Sequence, residues 1–391
     1  MRYSSIVQRL EGSGYKAWDV HGKARAMRTR GEEVFFLTIG DPDFATPPAI
    51  TDAAIASLRS GRTHYTPALG ELKLRTAIAQ QHTQVSGQPV SSDNVAVVAG
   101  AQCGLYATAM CLLQAGDEVI VSEPVYSTYE PVIGASGATL VPVPLRPELD
   151  FHFDPADLAA AVTPRTRALM INTPHNPTGS MLGPAEIETL ADLSTRHNLW
   201  LITDEVYSSF TYTRPHLSPA SLPALADRSV VISSLSKSHA MTGWRLGWVI
   251  GPEPFIQYMD NLLSAMLFGQ PPFIQDAALH ALIQEQAAVE QMHTAYRTRR
   301  DLVYAAFTGS TSATCRLPEG GIYMLIDVRA TGLSDYDFAH ALLEAEGVAL
   351  LPGVAFGASL AGYVRLSLTA PDETLREASR RIRRFADSLV K

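Results

Sequence analysis

Seven short apolar runs lie between residues 94 and 251: NVAVVAG, DEVIVSE, TLVPVPL, RALMINT, LWLITDE, SVVISSL and GWVIG. Each is apolar at successive positions rather than alternate ones, as expected of a strand buried on both faces. Longer stretches with helical spacing stand between many of them: QCGLYATAMCLLQ, YEPVIGAS, DPADLAAAV and GPAEIETLADLSTRHN. This alternation predicts an α/β architecture, a mainly parallel seven-stranded sheet covered by helices. Upstream, PPAITDAAIASLRSG reads as an amphipathic helix opened by Pro and closed by Gly, and a second helix follows the loop THYTPALG. Residues 1 to about 35 are polar and helical in tendency. FFLTIG then leads into DPDFATPP, a loop rich in Pro and Asp.

Beyond the last of the seven runs, residues 255 to 305 are largely helical, and MHTAYRTRR belongs to a long linking helix. From about residue 320 a shorter α/β pattern appears: GGIYMLIDV, a helix DYDFAHALLEAEG, then VALL, GYVRLSL and the C-terminal helix DETLREASRRIRRFADSLV. The basic side of that last helix reads as a solvated face. The expected organisation is an N-terminal segment (1–45) packing with a small C-terminal α/β domain (291–391), and a large domain (46–290) between them.

Composition narrows the function classes. The chain has 391 residues, 46% apolar and 18% charged, which fits a folded enzyme and excludes disorder. A formal net charge of −8 argues against nucleic acid or an acidic membrane as partner. Three cysteines, Cys103, Cys111 and Cys315, have no metal or redox spacing and point to a reducing, cytoplasmic compartment. No secretory signal or membrane-length apolar run is evident.

The chemistry concentrates in SSLSKSHAMTGWRLGW, residues 233 to 248. Its single lysine, Lys237, lies on a connection between two apolar strands. Most lysines are solvated, but one held between core strands can lose its proton and attack a carbonyl, as a Schiff-base lysine must. Ser234 and Arg245 offer a hydroxyl and a planar fork to one anion. VAGAQCG is a strand followed by small residues and a helix start, where amide groups face an anion; it lacks the dinucleotide spacing of glycines. Asp204 ends an apolar strand, a costly place for a carboxylate without a partner. Glu205 next to it points the other way. Arg365 stands alone in the apolar run GYVRLSL, where an internal salt bridge is the plain alternative to ligand binding.

In order, the chain shows LTIGDPDFATP, THYTPALG, VVAGAQCGLY, SEPVYSTYEP, NTPHNPTG, LITDEVYSSF, SLSKSHAMTGWR, PEGGIYMLID, LPGVAFG and GYVRLSL. This ordered set resembles the landmarks of the class I and II aminotransferases, pyridoxal 5′-phosphate (PLP) enzymes of fold type I. The resemblance implies a homodimer in which Lys237 carries PLP. It implies that Gly100, Ala101, Gln102, Ser234, Ser236 and Arg245 hold the phosphate, with Tyr65 reaching from the partner subunit. Asp204 would pair with the ring nitrogen. Asn176 and Tyr207 would meet the phenolate oxygen. Tyr126 would stack on the ring, with Tyr129 competing for that assignment. Gly40, Asn176 and Arg365 would bind the substrate α-carboxylate in a pocket lined by Tyr323 and Phe356, and His175 is structural. No metal is expected.

The implied reaction is ping-pong transfer of an α-amino group to a 2-oxo acid, with Lys237 moving the α-proton. LLSAMLFGQPPFIQDAA offers no Lys or Arg for a distal carboxylate, whereas Trp18 and Asp19 in YKAWDVH suit a cationic side chain. AWDVH, VVAGAQCGLY and SLSKSHAMTGWR resemble bacterial arginine–pyruvate transaminases, so arginine is the expected donor, lysine the next, and pyruvate the acceptor. Aminotransferases for aromatic, aliphatic or aspartate donors, and PLP-dependent β-lyases, decarboxylases and synthases, share this framework. A PLP-sensing transcription regulator would need a basic DNA-binding region that this acidic chain does not show.

Overall fold

The computed structural model describes residues 1–10 and 18–390. The part of the N-terminal helical expectation that falls on residues 11–17 lies outside the described residues. The flanking parts form a short helix, Ile6–Arg9, and a longer one, Asp19–Thr29.

All seven apolar runs become strands of one sheet. Its order from edge to edge is Val95–Val98, Gly247–Ile250, Ser229–Ser234, Trp200–Asp204, Thr166–Asn172, Glu118–Glu123, Thr139–Arg146 and His152–Phe153. The eighth strand, His152–Phe153, was not expected. It is a two-residue antiparallel return on Leu145 and Arg146, too short for a period to show in sequence. The central strands pair in parallel. Gly247–Ile250 runs antiparallel to both neighbours. Successive side chains pack on opposite faces: Val119 and Val121 join one apolar cluster, whereas Ile120 joins another. This two-sided burial is why the runs lack polar alternation.

A second, antiparallel sheet has the order Thr314–Cys315, Tyr323–Asp327, Tyr363–Ser367 and Leu351–Pro352. The linking helix, Gln286–Phe307, packs against the C-terminal helix, Asp372–Leu389. The N-terminal segment joins this smaller sheet region. Phe35–Phe36 pairs in parallel with Val348–Ala349, and the Ser367 amide donates to Leu37 O at 2.9 Å. Residues 37–43 are thereby led between the two sheets. Arg299, buried on the linking helix, clamps their far end: its Nη1 and Nη2 donate to the two Asp43 oxygens at 2.7 and 2.8 Å, and its Nε to Asp372 at 3.0 Å.

Because the central strands are parallel, their carboxyl ends share one edge of the sheet, where open α/β sheets bind ligands. Asp204 lies in register with Asn172 on one side and Ile232 on the other. The chain leaves Ser234, forms the short helix Leu235–Ser238, turns through Thr242–Trp244 and re-enters the sheet at Gly247. This tight return holds Lys237 at the same edge.

Arg299→Met leaves Asp43 without its bidentate partner. Breaking a fully buried ion pair costs about 3–5 kcal/mol, and partial exposure of both carboxylates reduces this to about 2–3 kcal/mol. Urea unfolding of the two proteins compares the stabilities; a loss below about 0.5 kcal/mol would show that the clamp contributes little.

Candidate active site

A cavity of about 160 Å³ opens at this edge. Its lining brings together Ala101, Gln102, Tyr126, Asn176, Asp204, Tyr207, Ser234, Ser236, Lys237 and Arg245, residues that span almost 150 positions of sequence. Most come from the carboxyl end of a strand or the residues just after it, so strand direction aligns them; Arg245 comes from the turn that leads into Gly247–Ile250.

The cavity has an anion-binding end. Helix Gly100–Leu112 points its N-terminus there, so its first amide groups are free of intrahelical partners. Gly100 has φ +78°, and a Cβ on it would lie 2.4 Å from Arg245 Nη2. The missing side chain lets the guanidinium lie against the helix start. Arg245, itself left-handed at φ 53°, donates among the described residues to main-chain oxygens, Thr242 O at 2.8 Å and Ala99 O at 3.3 Å. Ser234 caps the short helix that carries Lys237 by accepting from the Ser236 amide at 3.4 Å.

Asp204 closes the floor. It is buried, and Tyr129 Oη donates to its Oδ2 at 2.8 Å. Burial pushes its carboxyl up to about 6, against the pull of the Tyr129 hydrogen bond. Tyr129 is thus a donor beneath the carboxylate, whereas Tyr126 lines the cavity, its ring at 5.5 Å and nearly perpendicular to that of Tyr129. The sequence leaves these two tyrosines open; the geometry separates them. Asn172, which sequence reasoning missed, ties two site segments together: its Nδ2 donates to Asp204 O at 2.8 Å and its Oδ1 accepts from the Asn176 amide at 2.7 Å. Its place in NTPHNPTG, four residues before Asn176, is the one signal available.

Arg365 lies on the central strand of the small sheet and is 2% exposed. Nη1 donates to Asn176 Oδ1 at 2.9 Å, and Nη2 donates to Thr38 O. Its Nε has no hydrogen-bond partner among the described residues. The guanidinium carbon sits 4.0 Å from the Tyr323 ring centroid and 4.7 Å from that of Phe356. Burial pulls its proton affinity below the usual arginine value, though an arginine stays charged. The internal salt bridge considered for it does not exist among the described residues. Tyr323 also meets Tyr207, hydroxyl to hydroxyl at 3.4 Å. Lys237 Nζ donates to Gly40 O at 2.6 Å. A Cβ on Gly40 would lie 2.0 Å from Tyr323 Oη, so this position excludes any larger residue.

Three expected residues stand elsewhere. Tyr65 is 85% exposed, resting edge-on against Phe268 at 4.9 Å, and does not line its own chain's cavity. Trp18 and Asp19 do not line this cavity. Asp19 opens helix Asp19–Thr29 and faces helix Asp335–Glu346, where Tyr336 Oη donates to it and His340 Nε2 lies at 3.0 Å. These partners outweigh the effect of burial and hold its carboxyl below the usual value. Trp18 packs partly buried against the core, 6.4 Å from the His21 ring. His175 is buried and bonded to Thr178, in keeping with a structural role.

What unites the cavity is unpaired charge. Among the described residues, Arg245, Arg365 and Lys237 have no carboxylate within hydrogen-bonding reach, and buried Asp204 has no cation. A ligand carrying an anion at one end and a protonated ring nitrogen at the other fits the Arg245 end and Asp204 together; that is the charge pattern of PLP. A second, carboxylate-bearing ligand fits Arg365. No helix among the described residues is long and apolar enough to cross a membrane, and no group of His, Cys, Asp or Glu among them is placed to hold a metal.

Comparisons with known proteins agree with this reading. The family model for aminotransferase class I and II matches residues 32–382. The chain is 51% identical over 390 residues to an arginine–pyruvate transaminase of Pseudomonas aeruginosa, covering 100% of this chain and 99% of that protein. It is 36% identical over 384 residues to an aspartate/prephenate aminotransferase of Thermus thermophilus, covering 97% and 98%. Among solved structures, a single mutant of the Thermus thermophilus aspartate aminotransferase superposes with a TM-score of 0.93 at 35% identity, covering 98% of this chain and 100% of that one. An alanine aminotransferase from Pyrococcus furiosus gives 0.92 at 28% identity, covering 99% and 100%. The chain therefore belongs to the class I and II aminotransferases, enzymes that depend on PLP.

Proposed function

We propose that this enzyme transfers the α-amino group of arginine, and next of lysine, to pyruvate, leaving 2-oxo-5-guanidinopentanoate from arginine. The observation that carries the site assignment is the set of unpaired charges around one cavity. The arginine assignment is supported by full-length 51% identity to an arginine–pyruvate transaminase. It is supported further by residues 262–278, which supply no cation for a distal substrate carboxylate.

When bound, PLP supplies an electron sink for the bond broken at the substrate α-carbon and stores the amino group between half-reactions. In this reading Lys237 is the covalent anchor, and its Nζ takes the α-proton and returns it. Asp204 keeps a proton on the ring nitrogen. Ser234, Ser236, Arg245 and the amides of Gly100, Ala101 and Gln102 hold the phosphate. Tyr126 covers the ring, and Asn176 and Tyr207 meet its phenolate oxygen. Arg365 clamps the α-carboxylate, with Gly40 main chain beside it. Trp18 and Asp19 are assigned to the cationic side chain of the donor, through ring contact and charge pairing. We divide the chain near residues 45 and 290, a reading that the two separate sheets and the linking helix support. Free Cys103, Cys111 and Cys315 fit a reducing, cytoplasmic setting. Exposed Tyr65, Phe268 and Tyr258 support a second copy of the chain as partner, with Tyr65 entering that copy's site.

Lys237→Ala is expected to reduce transamination by on the order of 10⁴-fold or more, and borohydride should no longer fix the cofactor to the chain. Label recovered on Lys16, Lys23 or Lys73 would show the anchor to be wrong. For the substrate, kcat/KM with pyruvate is compared for arginine, lysine, aspartate, alanine and phenylalanine; arginine should lead, and a preference for aspartate or phenylalanine would remove the arginine reading while leaving the aminotransferase intact. For the shared site, mixing Tyr65→Ala with Lys237→Ala chains should restore activity above that of either alone, and a fully active monomer in sedimentation would refute the dimer.

A further inference from the structure

Behind the cofactor cavity lies a second one, of about 270 Å³. Val206 and Ser234 line both, so the wall between them is one residue thick. The floor of the second cavity is Glu205. It directly follows Asp204, its amide still donates to Ile232 O at 2.8 Å, and its side chain points to the opposite face of the sheet. The chain thus buries two carboxylates back to back.

Their partners differ. Glu205 accepts from Ser218 Oγ at 2.7 Å and Thr203 Oγ1 at 2.9 Å, and pairs with His216 Nε2 at 2.8 Å. Burial pushes its carboxyl up, but His216 and the Ser218 hydroxyl outweigh that and hold it below the usual range. Asp204, with one hydroxyl donor and a long amide contact, is pushed up instead, in part by the charge of Glu205. The other titratable groups around the second cavity are His82, on helix Leu72–Ser86, and His239, on the Lys237 connection, which burial pulls down to about 4. The His216 Nδ1 is buried without a hydrogen-bond partner among the described residues, so none of them draws that ring from Glu205 through a hydrogen bond at Nδ1.

We propose that Glu205 is a positioning residue for the cofactor: a fixed negative charge behind Asp204 that strengthens the hold of Asp204 on the ring-nitrogen proton. This rests on the reading of Asp204 as the ring partner. Nothing covalent is required. The effect is electrostatic, transmitted across one strand in a low-dielectric interior, where a buried charge is felt more strongly than in water.

The test is a pH titration of the ring-nitrogen resonance of nitrogen-15-labelled PLP bound in the holoenzyme, which reads the proton shared between Asp204 and the ring rather than turnover. Glu205→Gln keeps the shape and removes the charge, so the midpoint should fall by about half a pH unit or more. Glu205→Asp should bring it back towards wild type. Ser218→Ala leaves the charge but withdraws one donor, so the midpoint should rise. Opposite signs from two variants that each disturb the same hydrogen bonds distinguish charge from packing. A midpoint in Glu205→Gln within 0.1 unit of wild type, or shifts of the same sign in both variants, would overturn the proposal. Should Glu205→Gln not fold, Ser218→Ala decides alone, an unchanged midpoint counting against it. In an Asp204→Asn background Glu205→Gln should move the midpoint less than half as far. A wild-type midpoint in Asp204→Asn by itself would instead sink the assignment of Asp204.

Discussion

A guanidinium buried without a carboxylate is the constraint on which the rest of this molecule depends. Desolvating a charge is expensive, and most buried arginines offset the penalty with an internal ion pair. Arg365 has instead one side-chain oxygen, one main-chain oxygen and two aromatic faces. Rings offer a cation a partial substitute for water, but not a counter-ion. Holding such a group requires a rigid surround, and the fold supplies it: a four-stranded sheet under Arg365, Asn176 braced by Asn172, and the N-terminal strand stitched to Ser367. The unpaired charge makes the empty site less stable than a neutral one of the same shape. In the proposed assignment, that deficit is what the substrate carboxylate relieves.

The large sheet was legible because two-sided burial writes itself as continuous apolar runs. All seven appear where the pattern placed them. The return strand His152–Phe153 was not, since two residues carry no period. The cavity residues were legible for a topological reason: parallel strands deliver their carboxyl ends to one edge, so a reader who finds polar residues just after each run has found the site.

What escaped the sequence depended on side-chain direction and long-range contact. Tyr126 and Tyr129 sit three positions apart with equal chemistry, and only the Asp204 contact distinguishes them. The contacts of Asp19 within the chain, Tyr336 and His340, come from helix Asp335–Glu346, more than 300 residues away, and no local pattern shows them. Glu205 reads as the discarded neighbour of Asp204. Its weight comes from His216 and Ser218, which no local pattern links to it.

The strip of chain from Thr38 to Gly40 touches both working cations with main-chain atoms alone: Thr38 O on Arg365 and Gly40 O on Lys237. Main-chain carbonyls are present whatever the side chain, so exposed Ile39 between them is open to substitution without loss of either contact. Gly40 is the exception, fenced by the Tyr323 hydroxyl. In the proposed assignment the strip lies against both ends of the chemistry at once, beside the carboxylate clamp and beside the covalent anchor. One short run of main chain thereby sets the spacing between the two cations, whatever side chain stands at position 39.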